Sequence, residues 1–254
     1  MDIQGHKFLV TGGASGMGRN FTLNLAKLGG DVAFCDLNEE AIAEVETEGA
    51  ALPGKVVGFK ANVASEDEVV ALIKNVREAL GGLDGVVNNA GIFRDGLLVK
   101  ADRETGEIKK MSLKKWQQVI DVDLTGPFLI SREFAAAAIE NKHPGVIVNI
   151  SSISRYGNMG QSNYSAAKAG LVADTKLWGN ELARYGIRTG AIAPGFVDTP
   201  ILQGMRPDVL EKMLRAVPLR RAANPDEIFL AVKFIIECDF FTGRCIDVDG
   251  GQVV

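Results

Sequence analysis

The chain has 254 residues, of which 46% are hydrophobic and 24% charged, and its formal net charge is −4. This length and composition suit one α/β domain with a large core and disfavour disorder. The small negative charge disfavours nucleic-acid binding, and no apolar run reaches the roughly 18 residues of a membrane span, so we expect neither a membrane segment nor a signal peptide, and by default a cytoplasmic protein.

Seven short β-branched runs alternate with segments of helical periodicity. The runs cover residues 8–10, 32–35, 56–59, 86–87, 146–150, 187–192 and 245–248. This alternation predicts β-α-β units and a parallel sheet covered by helices on both faces. Without a repeat or linker, residues 1–254 are expected to form one doubly wound domain, with a cofactor-binding part at about 1–150 and a catalytic and substrate part at about 150–254.

The first strand is followed by a glycine-rich turn, "TGGASGMG", which contains Gly12, Gly16 and Gly18. Glycines permit positive φ and let backbone amides approach a pyrophosphate at the N-terminus of the next helix. The turn favours nucleotide binding without being specific for it.

The second strand ends at Asp36, 18 residues after Gly18. A carboxylate there can accept hydrogen bonds from ribose hydroxyls and repels a 2′-phosphate, which predicts NAD over NADP. Arg19 is the counter-argument, because a cation after the glycines can bind that phosphate, but we weigh it below Asp36. The alternative for Asp36 is a helix N-cap ahead of "LNEEAIAEV".

Two later strand ends also carry small or polar residues. After the fourth strand, "NNAG" suits close passage of a ribose, although alone it can be an Asx-rich turn. After the sixth strand, "PGFVDTP" offers a tight turn at Pro194 and Gly195 that can face a nicotinamide. Thr199 can hydrogen-bond the carboxamide of that nicotinamide.

Two long intervals interrupt the alternation and are lid candidates. In residues 92–111, "ETGE" is typical of a turn between two short extended arms, and residues 194–217 end in an amphipathic helix. Both follow strands, at the edge where α/β proteins bind ligands. The alternative for the apolar stripe of the second interval is core packing or a subunit contact. That stripe comprises Val209, Leu210, Met213, Leu214 and Val217.

The stretch "SNYSAAKAG" places Tyr164 and Lys168 at i and i+4 of a predicted helix, among small residues. Such a pair shares one helix face, and an ammonium favours the deprotonated form of a nearby phenol, so Tyr164 is a candidate proton donor and acceptor. The alternative is a surface pair on an alanine-rich helix.

Together these motifs resemble the classical short-chain dehydrogenase/reductase family, over essentially the whole chain from "KFLVTGG" to "DVDGG". The resemblance rests on TGGASGMG, Asp36, NNAG, a serine 12 or 13 residues before Tyr164, Tyr-x-x-x-Lys and PG, in that order. It implies a Rossmann-like fold and hydride exchange between a nicotinamide and a carbinol or carbonyl carbon, without a metal. It further implies that Tyr164 is the acid/base, that Lys168 lowers its pKa and holds the nicotinamide ribose, and that a serine of "NISS" polarises the substrate oxygen.

The resemblance carries two further sets of residues onto this chain. The implied cofactor-binding residues are Gly12, Ser15, Gly16, Met17, Gly18, Asp36, Leu37, Asn62, Val63, Asn89, Ala90, Gly91, Tyr164, Lys168, Pro194, Gly195, Val197 and Thr199. The candidate substrate residues are Phe93, Arg155, Tyr156, Met159, Phe196, Leu202 and Met205. Most of the latter are apolar, which predicts a hydrophobic substrate, with Arg94 or Arg155 available for an anionic or acyl-carrier group.

Two positions depart from the family pattern. The usual interval of 13 residues before Tyr164 leads to Ser151, whereas counting along the fifth strand from Gly145 leads to Ser152, and we choose Ser152 because a shortened loop is less disruptive than a slipped strand. Asp123 stands where the family usually has an asparagine of the proton relay, and we include it among the catalytic residues. Its charge can pair with Lys168 and change the relay or the pH optimum, or it can be protonated or solvated with little effect.

We therefore expect an NAD(H)-dependent oxidoreductase that interconverts a hydrophobic secondary alcohol and a ketone. The insertion "DGLLVKADRETGEIKKMS" resembles that of 3-oxoacyl-carrier-protein reductases, so a reductase of 3-oxoacyl-carrier-protein or acyl-CoA thioesters is the alternative. A non-catalytic NAD-binding sensor is a minor alternative, which only Asp123 encourages. We expect a homotetramer or homodimer that uses the helices predicted at 112–140 and 161–185 and the tail "DVDGGQVV".

The cysteines and histidines are few. Cys35, Cys238 and Cys245 lie in apolar settings and are expected to be reduced, and the two histidines leave a metal site short of ligands.

Overall fold

The computed structural model describes residues 1–252, apart from the side chain of Ile201. The strands in this part of the chain are β1 (Lys7–Thr11), β2 (Asp31–Asp36), β3 (Val56–Lys60), β4 (Gly85–Asn88), β5 (Val99–Ala101), β6 (Ile108–Lys110), β7 (Gly145–Ile150), β8 (Ile187–Pro194) and β9 (Arg244–Val248). Seven of them form a parallel sheet in the order β3-β2-β1-β4-β7-β8-β9, and β5 and β6 form a separate antiparallel pair. All seven predicted sheet strands are confirmed.

Helices fill the intervals between the strands. They are α1 (Gly16–Lys27), α2 (Glu39–Gly49), α3 (Glu66–Leu80), α4 (Leu113–Ile120), α5 (Gly126–Glu140), α6 (Ser162–Leu182), α7 (Pro200–Gln203), α8 (Pro207–Arg215) and α9 (Pro225–Glu237). A π-helix, Asp121–Thr125, joins α4 to α5, and 3-10 turns cover Ile153–Tyr156 and Ala183–Tyr185. The helix predicted at 112–140 is therefore three segments, with the π-helix between the two α-helices.

The strands direct alternate side chains to two separate cores. In β1, Phe8 and Val10 pack in the core beneath α1, α2 and α9, whereas Leu9 packs in the core beneath α3 and α5. Successive residues of a strand point to opposite faces, so one apolar run supplies both layers. The predicted doubly wound fold with helices on both faces is confirmed.

The strand order reverses between β1 and β4, which pair with Val10 opposite Val87. At such a switch point the loops leave the carboxyl ends of adjacent strands in opposite directions and open a crevice for ligands. The glycine-rich turn after β1 and the "NNAG" segment after β4 thus lie side by side.

The structure also describes the state of the cysteines, the lengths of the helices and the burial of the predicted lid stripe. All three cysteines are free, with Cys35 buried in the core and the other two partly buried. Among the described residues, no helix is both long and apolar enough to cross a membrane. In the predicted lid stripe, Val217 is buried but Val209 is exposed, so the stripe does not form a single buried face.

Candidate functional site

Tyr164 and Lys168 lie in the first turns of α6, and both side chains are buried. The Lys168 ammonium is 5.4 Å from the centroid of the Tyr164 ring. The ring of Phe93, which follows β4, lies against Tyr164 with 4.6 Å between ring centroids. The alternative that Tyr164 and Lys168 form a surface pair is wrong.

The Lys168 ammonium is held between two elements. It donates a hydrogen bond to the Ile150 carbonyl at the end of β7, 3.0 Å away, and lies 3.2 Å from Asp123 Oδ2. Asp123 is fully buried, and its other oxygen accepts a hydrogen bond from the Ile92 amide at 2.9 Å. Of the alternatives for Asp123, solvation is therefore wrong, and pairing with Lys168 is what the structure contains.

A π-helix presents Asp123 to this lysine. The extra residue in a π-turn widens the helix locally and re-aims its side chains, and such turns are frequent at functional sites. Here it spans Asp121–Thr125, and Asp123 is the buried residue of that turn.

Burial and charge set the protonation of the three groups. Burial raises the pKa of Tyr164, and the charge of Asp123 raises it further. Lys168 and the Ser152 side chain lower this pKa, but the net direction is upward. Burial likewise raises the pKa of Asp123, against the pull of Lys168. Burial lowers the pKa of Lys168, but the charges of Asp123 and Tyr164 more than offset this and raise it. The expected lowering of the Tyr164 pKa below its ordinary value is thus outweighed by burial, which favours the protonated phenol at neutral pH.

The two candidate serines have different partners. Ser151 is buried and donates its hydroxyl hydrogen bond to the Lys168 carbonyl, 2.8 Å away. The Ser152 side chain lowers the pKa of Tyr164, and its hydroxyl oxygen accepts from the Ser154 amide at 3.1 Å. Of the two serines, Ser152 is therefore the one beside the phenol.

The glycine-rich turn after β1 is closely packed against the "NNAG" segment. Gly12 has φ of +62°, and a Cβ on it would lie 2.9 Å from Ala90 Cα. A Cβ on Gly18 would lie 2.0 Å from the Gly12 carbonyl oxygen, so no side chain fits there. Asn89 donates to the Thr11 and Gly12 carbonyls at 3.1 and 3.3 Å and fixes the turn.

The same turn is open on its outer side. A Cβ on Gly16 would meet only Thr199, 3.6 Å away, so the loop after β8 faces the N-terminus of α1. Ser15 is the N-cap of α1 and makes no side-chain cap, which leaves first-turn amides for an anion. The buried Asn89 Oδ1 has no hydrogen-bond partner in residues 1–252. This cradle fits a dinucleotide.

Asp36 lies at the end of β2 and does not cap α2. Its carboxylate accepts hydrogen bonds from the amides of Ala14, Leu37 and Asn38, and the N-cap of α2 is Asn38. The N-cap alternative for Asp36 is therefore wrong. Arg19, the counter-argument for NADP, is ion-paired with Glu48.

The remaining predicted cofactor residues follow the carboxyl ends of strands on the same edge of the sheet. Leu37 follows β2, Asn62 and Val63 follow β3, and the segment from Pro194 to Thr199 ends and follows β8. Met17 is in the first turn of α1, partly buried against the core. Parallel strands bring these loops to one ligand-binding edge.

The candidate substrate residues are only partly brought together. Phe93 touches Tyr164, whereas Met159 is 89% exposed and Tyr156 is also largely exposed. Leu202 is buried, whereas Met205 is exposed. Phe196 is partly buried, and its carbonyl accepts a hydrogen bond from the Ala223 amide.

Arg155 does not supply the free cation that the sequence predicts. Its guanidinium lies 2.8 Å from Asp247 and also contacts Cys245, both on β9, and stacks on Tyr156. Its charge is neutralised inside the protein, so the prediction that it meets an anionic substrate group is not supported by this geometry. Arg94 is exposed, and among the described residues its side chain donates only to the adjacent Phe93 carbonyl.

Two residues to which the sequence assigns no role organise the site. The Thr11 hydroxyl accepts hydrogen bonds from the Asn89 and Ala90 amides, each at 3.0 Å. Asn163 is fully buried and donates to the carbonyls of Arg94 and Lys115 while accepting from the Tyr164 amide. A polar residue directly before Tyr164 was the available signal for Asn163.

The chain belongs to the short chain dehydrogenase family, whose model matches residues 6–210. It is an oxidoreductase of the type that acts on a CH–OH group or ketone with a nicotinamide cofactor.

Similar proteins cover the chain essentially end to end. It is 37% identical to 3-oxoacyl-[acyl-carrier-protein] reductase FabG of Thermotoga maritima, with 100% of each chain covered. It is 38% identical to 3-oxoacyl-[acyl-carrier-protein] reductase of Synechocystis (97% of this chain, 96% of the relative) and 36% identical to (3R)-3-hydroxyacyl-CoA dehydrogenase of Canis lupus familiaris (96% and 94%). These names favour the thioester alternative over the broader secondary-alcohol prediction.

Proposed function

We propose that the protein reduces the 3-oxo group of an acyl thioester to a 3-hydroxy group, and catalyses the reverse oxidation, with NAD(H). The observation that carries this proposal is the buried Tyr164, with Lys168 5.4 Å from its ring centroid and Ser152 close enough to lower its pKa, at the edge of the sheet. The relatives support a thioester as substrate, because two are named for 3-oxoacyl-carrier-protein reduction and one for 3-hydroxyacyl-CoA oxidation.

The chain's own residues would position the carbonyl and supply its proton. The hydroxyls of Ser152 and Tyr164 both donate hydrogen bonds to the substrate oxygen, which stabilises the negative charge that develops there. A bound nicotinamide supplies the hydride. Tyr164 then gives its phenolic proton to the alkoxide, and Lys168 stabilises the resulting tyrosinate. In oxidation each step runs backwards.

Asp36 supports NADH as the preferred cofactor. Its carboxylate carries a negative charge at the end of β2, where a 2′-phosphate would be repelled. Arg19, the cation that would favour NADPH, is already paired with Glu48. The residues of the glycine turn, from Gly12 to Gly18, would hold the pyrophosphate, and Thr199 would hydrogen-bond the nicotinamide carboxamide.

The exposed apolar side chains of Phe93 and of the loop before α6 support a substrate with an acyl chain. Phe93 covers one side of the phenol, and the exposed Met159 and Tyr156 belong to the loop before α6. Apolar walls with a few convergent hydroxyls are the usual composition of such sites.

Self-association, as a dimer or tetramer, is part of the same proposal. Leu113, Phe128 and Leu177 are exposed on α4, α5 and α6, the helices predicted as contact surfaces. Large exposed apolar side chains on neighbouring helices favour a protein interface. Of the predicted tail contact, residues 253 and 254 lie outside the described residues.

Four assays test the proposed function. Turnover of a 3-oxoacyl thioester and of a cyclic ketone is measured, each with NADH and with NADPH. We expect the largest kcat/KM for the thioester with NADH. A larger value for the ketone restores the secondary-alcohol alternative, and NADH binding, seen by fluorescence, without any turnover would identify a sensor instead.

A further inference from the structure

The two short strands β5 and β6 form a hairpin that stands outside the main sheet. They pair antiparallel, with Val99 opposite Lys110, Lys100 opposite Lys109 and Ala101 opposite Ile108, and all six residues are exposed. A two-stranded hairpin is marginally stable in water on its own. This one, which spans residues 97–111 and is called the arm below, leaves both faces available to a partner.

The two faces of the arm differ in chemistry. Cross-strand partners lie on one face, so Lys100 and Lys109 share a face with Asp102 and Glu107, which pair with Lys109 at 3.2 and 3.5 Å. The opposite face carries Val99, Ala101 and Ile108 together with Lys110. Val99 is 53% and Ile108 56% exposed, so this is an apolar sheet face without a covering element. Exposed faces and edges of this kind favour pairing with another protein.

The arm is tied at its base to the turn that carries Tyr164. The Gly96 amide donates to the Gly160 carbonyl at 2.8 Å, and Gly96 forms a bridge with Gln161. Asn163 donates to the carbonyls of Arg94 and Lys115, one on each side of the arm, at 3.1 Å each. A partner bound to the arm is therefore held beside the mouth of the candidate active site.

The arm together with its flanks, residues 94–115, is positively charged in a protein that is negatively charged elsewhere. Residues 94–115 contain seven Lys or Arg and four Asp or Glu, whereas the whole chain has a net charge of −4. Lys100, Arg103, Lys110 and Lys114 form no ion pair among residues 1–252. Unpaired cations around an apolar face are complementary to an acidic protein surface.

We propose that the arm docks an acidic carrier protein that presents the thioester substrate to Tyr164. The apolar face, centred on Val99 and Ile108, packs against the carrier, and Lys110, the unpaired lysine on that face, meets the carrier's carboxylates. This rests on the proposed thioester function, since a small free thioester has no need of the surface. A second copy of this chain is the competing occupant, and the test separates the two.

The test compares the same acyl group attached to two different thiols. The same 3-oxoacyl chain is offered on coenzyme A and on an acidic carrier protein, and kcat/KM is measured for Lys110→Glu. We expect a decrease of about tenfold or more for the carrier-linked substrate and less than twofold for the coenzyme A thioester. Position 110 faces Val99 across the hairpin, so the change leaves the ion pairs of Lys109 on the other face intact. Lys27→Glu, with the same charge change at an exposed position of α1, is the matched control and should leave both values unchanged.

Two further measurements make the outcome unambiguous. Val99→Thr/Ile108→Thr keeps β-branching but removes apolar surface, and should weaken carrier binding measured by calorimetry while sparing the coenzyme A reaction. Raised salt should lower kcat/KM for the carrier substrate alone. Equal effects on both thioesters, or a change of oligomeric state in sedimentation, would overturn carrier docking, the latter in favour of a second copy. If the wild type binds the carrier through the arm but reduces neither thioester, the proposed function fails while the docking surface stands.

Discussion

Asp123 Oδ2 lies 3.2 Å from the Lys168 ammonium, with side-chain exposures of 0% and 4% respectively. A buried ion pair gains much of its attraction from its low-dielectric surroundings, and removing one partner leaves an uncompensated charge. The lysine that faces the Tyr164 ring is therefore partly neutralised by a carboxylate on its other side. The acid strength of Tyr164 is set by this competition.

Asp123→Asn should shift the pH dependence of the reaction to lower pH. The negative charge of Asp123 raises the pKa of Tyr164, so its removal lowers that pKa. Oxidation of the alcohol needs deprotonated Tyr164, so it should begin at a lower pH than in the wild type. Reduction needs the protonated form, so its decline with rising pH should also begin at a lower pH. We expect a shift of roughly one pH unit, about 1.4 kcal/mol, in kcat profiles of both directions.

Asp95→Asn is the matched control for this shift. The charge of Asp95 also raises the pKa of Tyr164 but is the last of the contributing causes, and Asp95 is exposed. Solvent screens an exposed charge more strongly. The Asp95 variant should therefore move the profiles less than the Asp123 variant, and equal shifts would refute a special role for the buried pair.

Tyr164→Phe should abolish most turnover while cofactor binding remains. Removal of a general acid/base lowers kcat by roughly 10²–10⁴-fold. The phenyl ring keeps its contact with Phe93, so the fold and the cradle should be unaffected. NADH fluorescence measures binding, and kcat measures turnover. Tyr185→Phe, at the exposed turn after α6, should change neither; full turnover by Tyr164→Phe would remove the acid/base assignment.

The sheet could be predicted because each of its strands has a local signal in the sequence. Each short apolar run alternates its side chains between two cores, as Phe8 and Leu9 do, and strand ends at one edge follow from parallel topology. The order of motifs then places the glycine turn beside "NNAG". These features depend on neighbours in sequence and on one rule of sheet topology.

The features that escape prediction depend on partners far apart in the chain. Arg155 is neutralised by Asp247, 92 residues away, and Arg19 by Glu48 on the next helix. No local pattern identifies such partners, so the sequence alone predicts a free cation at Arg155. The net upward pKa of Tyr164 likewise reflects burial, which the spacing of Tyr164 and Lys168 does not reveal.

Ser152→Ala and Ser151→Ala should have different effects. The Ser152 hydroxyl lies close enough to Tyr164 to lower its pKa and is the proposed donor to the substrate oxygen, so its loss should lower kcat by roughly 10²-fold with little change in Tm. The Ser151 hydroxyl bonds the buried Lys168 carbonyl, so its loss should lower stability by about 1 kcal/mol and affect turnover less. Steady-state kinetics and thermal unfolding of both variants check this. A larger loss of kcat for Ser151→Ala would reverse the choice between the two serines.

Asp36→Ser should shift cofactor preference from NADH toward NADPH. The change removes the charge that opposes a 2′-phosphate but leaves a hydroxyl that can accept one of the backbone hydrogen bonds now made to Ala14, Leu37 and Asn38. We expect the NADPH/NADH ratio of kcat/KM to rise by about 10- to 100-fold, equivalent to roughly 1.4–2.8 kcal/mol.

The control for this cofactor shift lies at the other end of the same strand. Asp31 begins β2, and its carboxylate also accepts a backbone hydrogen bond, from the Lys55 amide at 2.9 Å. Asp31→Ser therefore removes the same charge and a similar bond, but at the edge of the sheet opposite the cofactor cradle. Its NADPH/NADH ratio should equal that of the wild type, because a charge acts on a phosphate only from nearby. A ratio that rises equally in both variants would show that overall charge, rather than the position of Asp36, determines the preference.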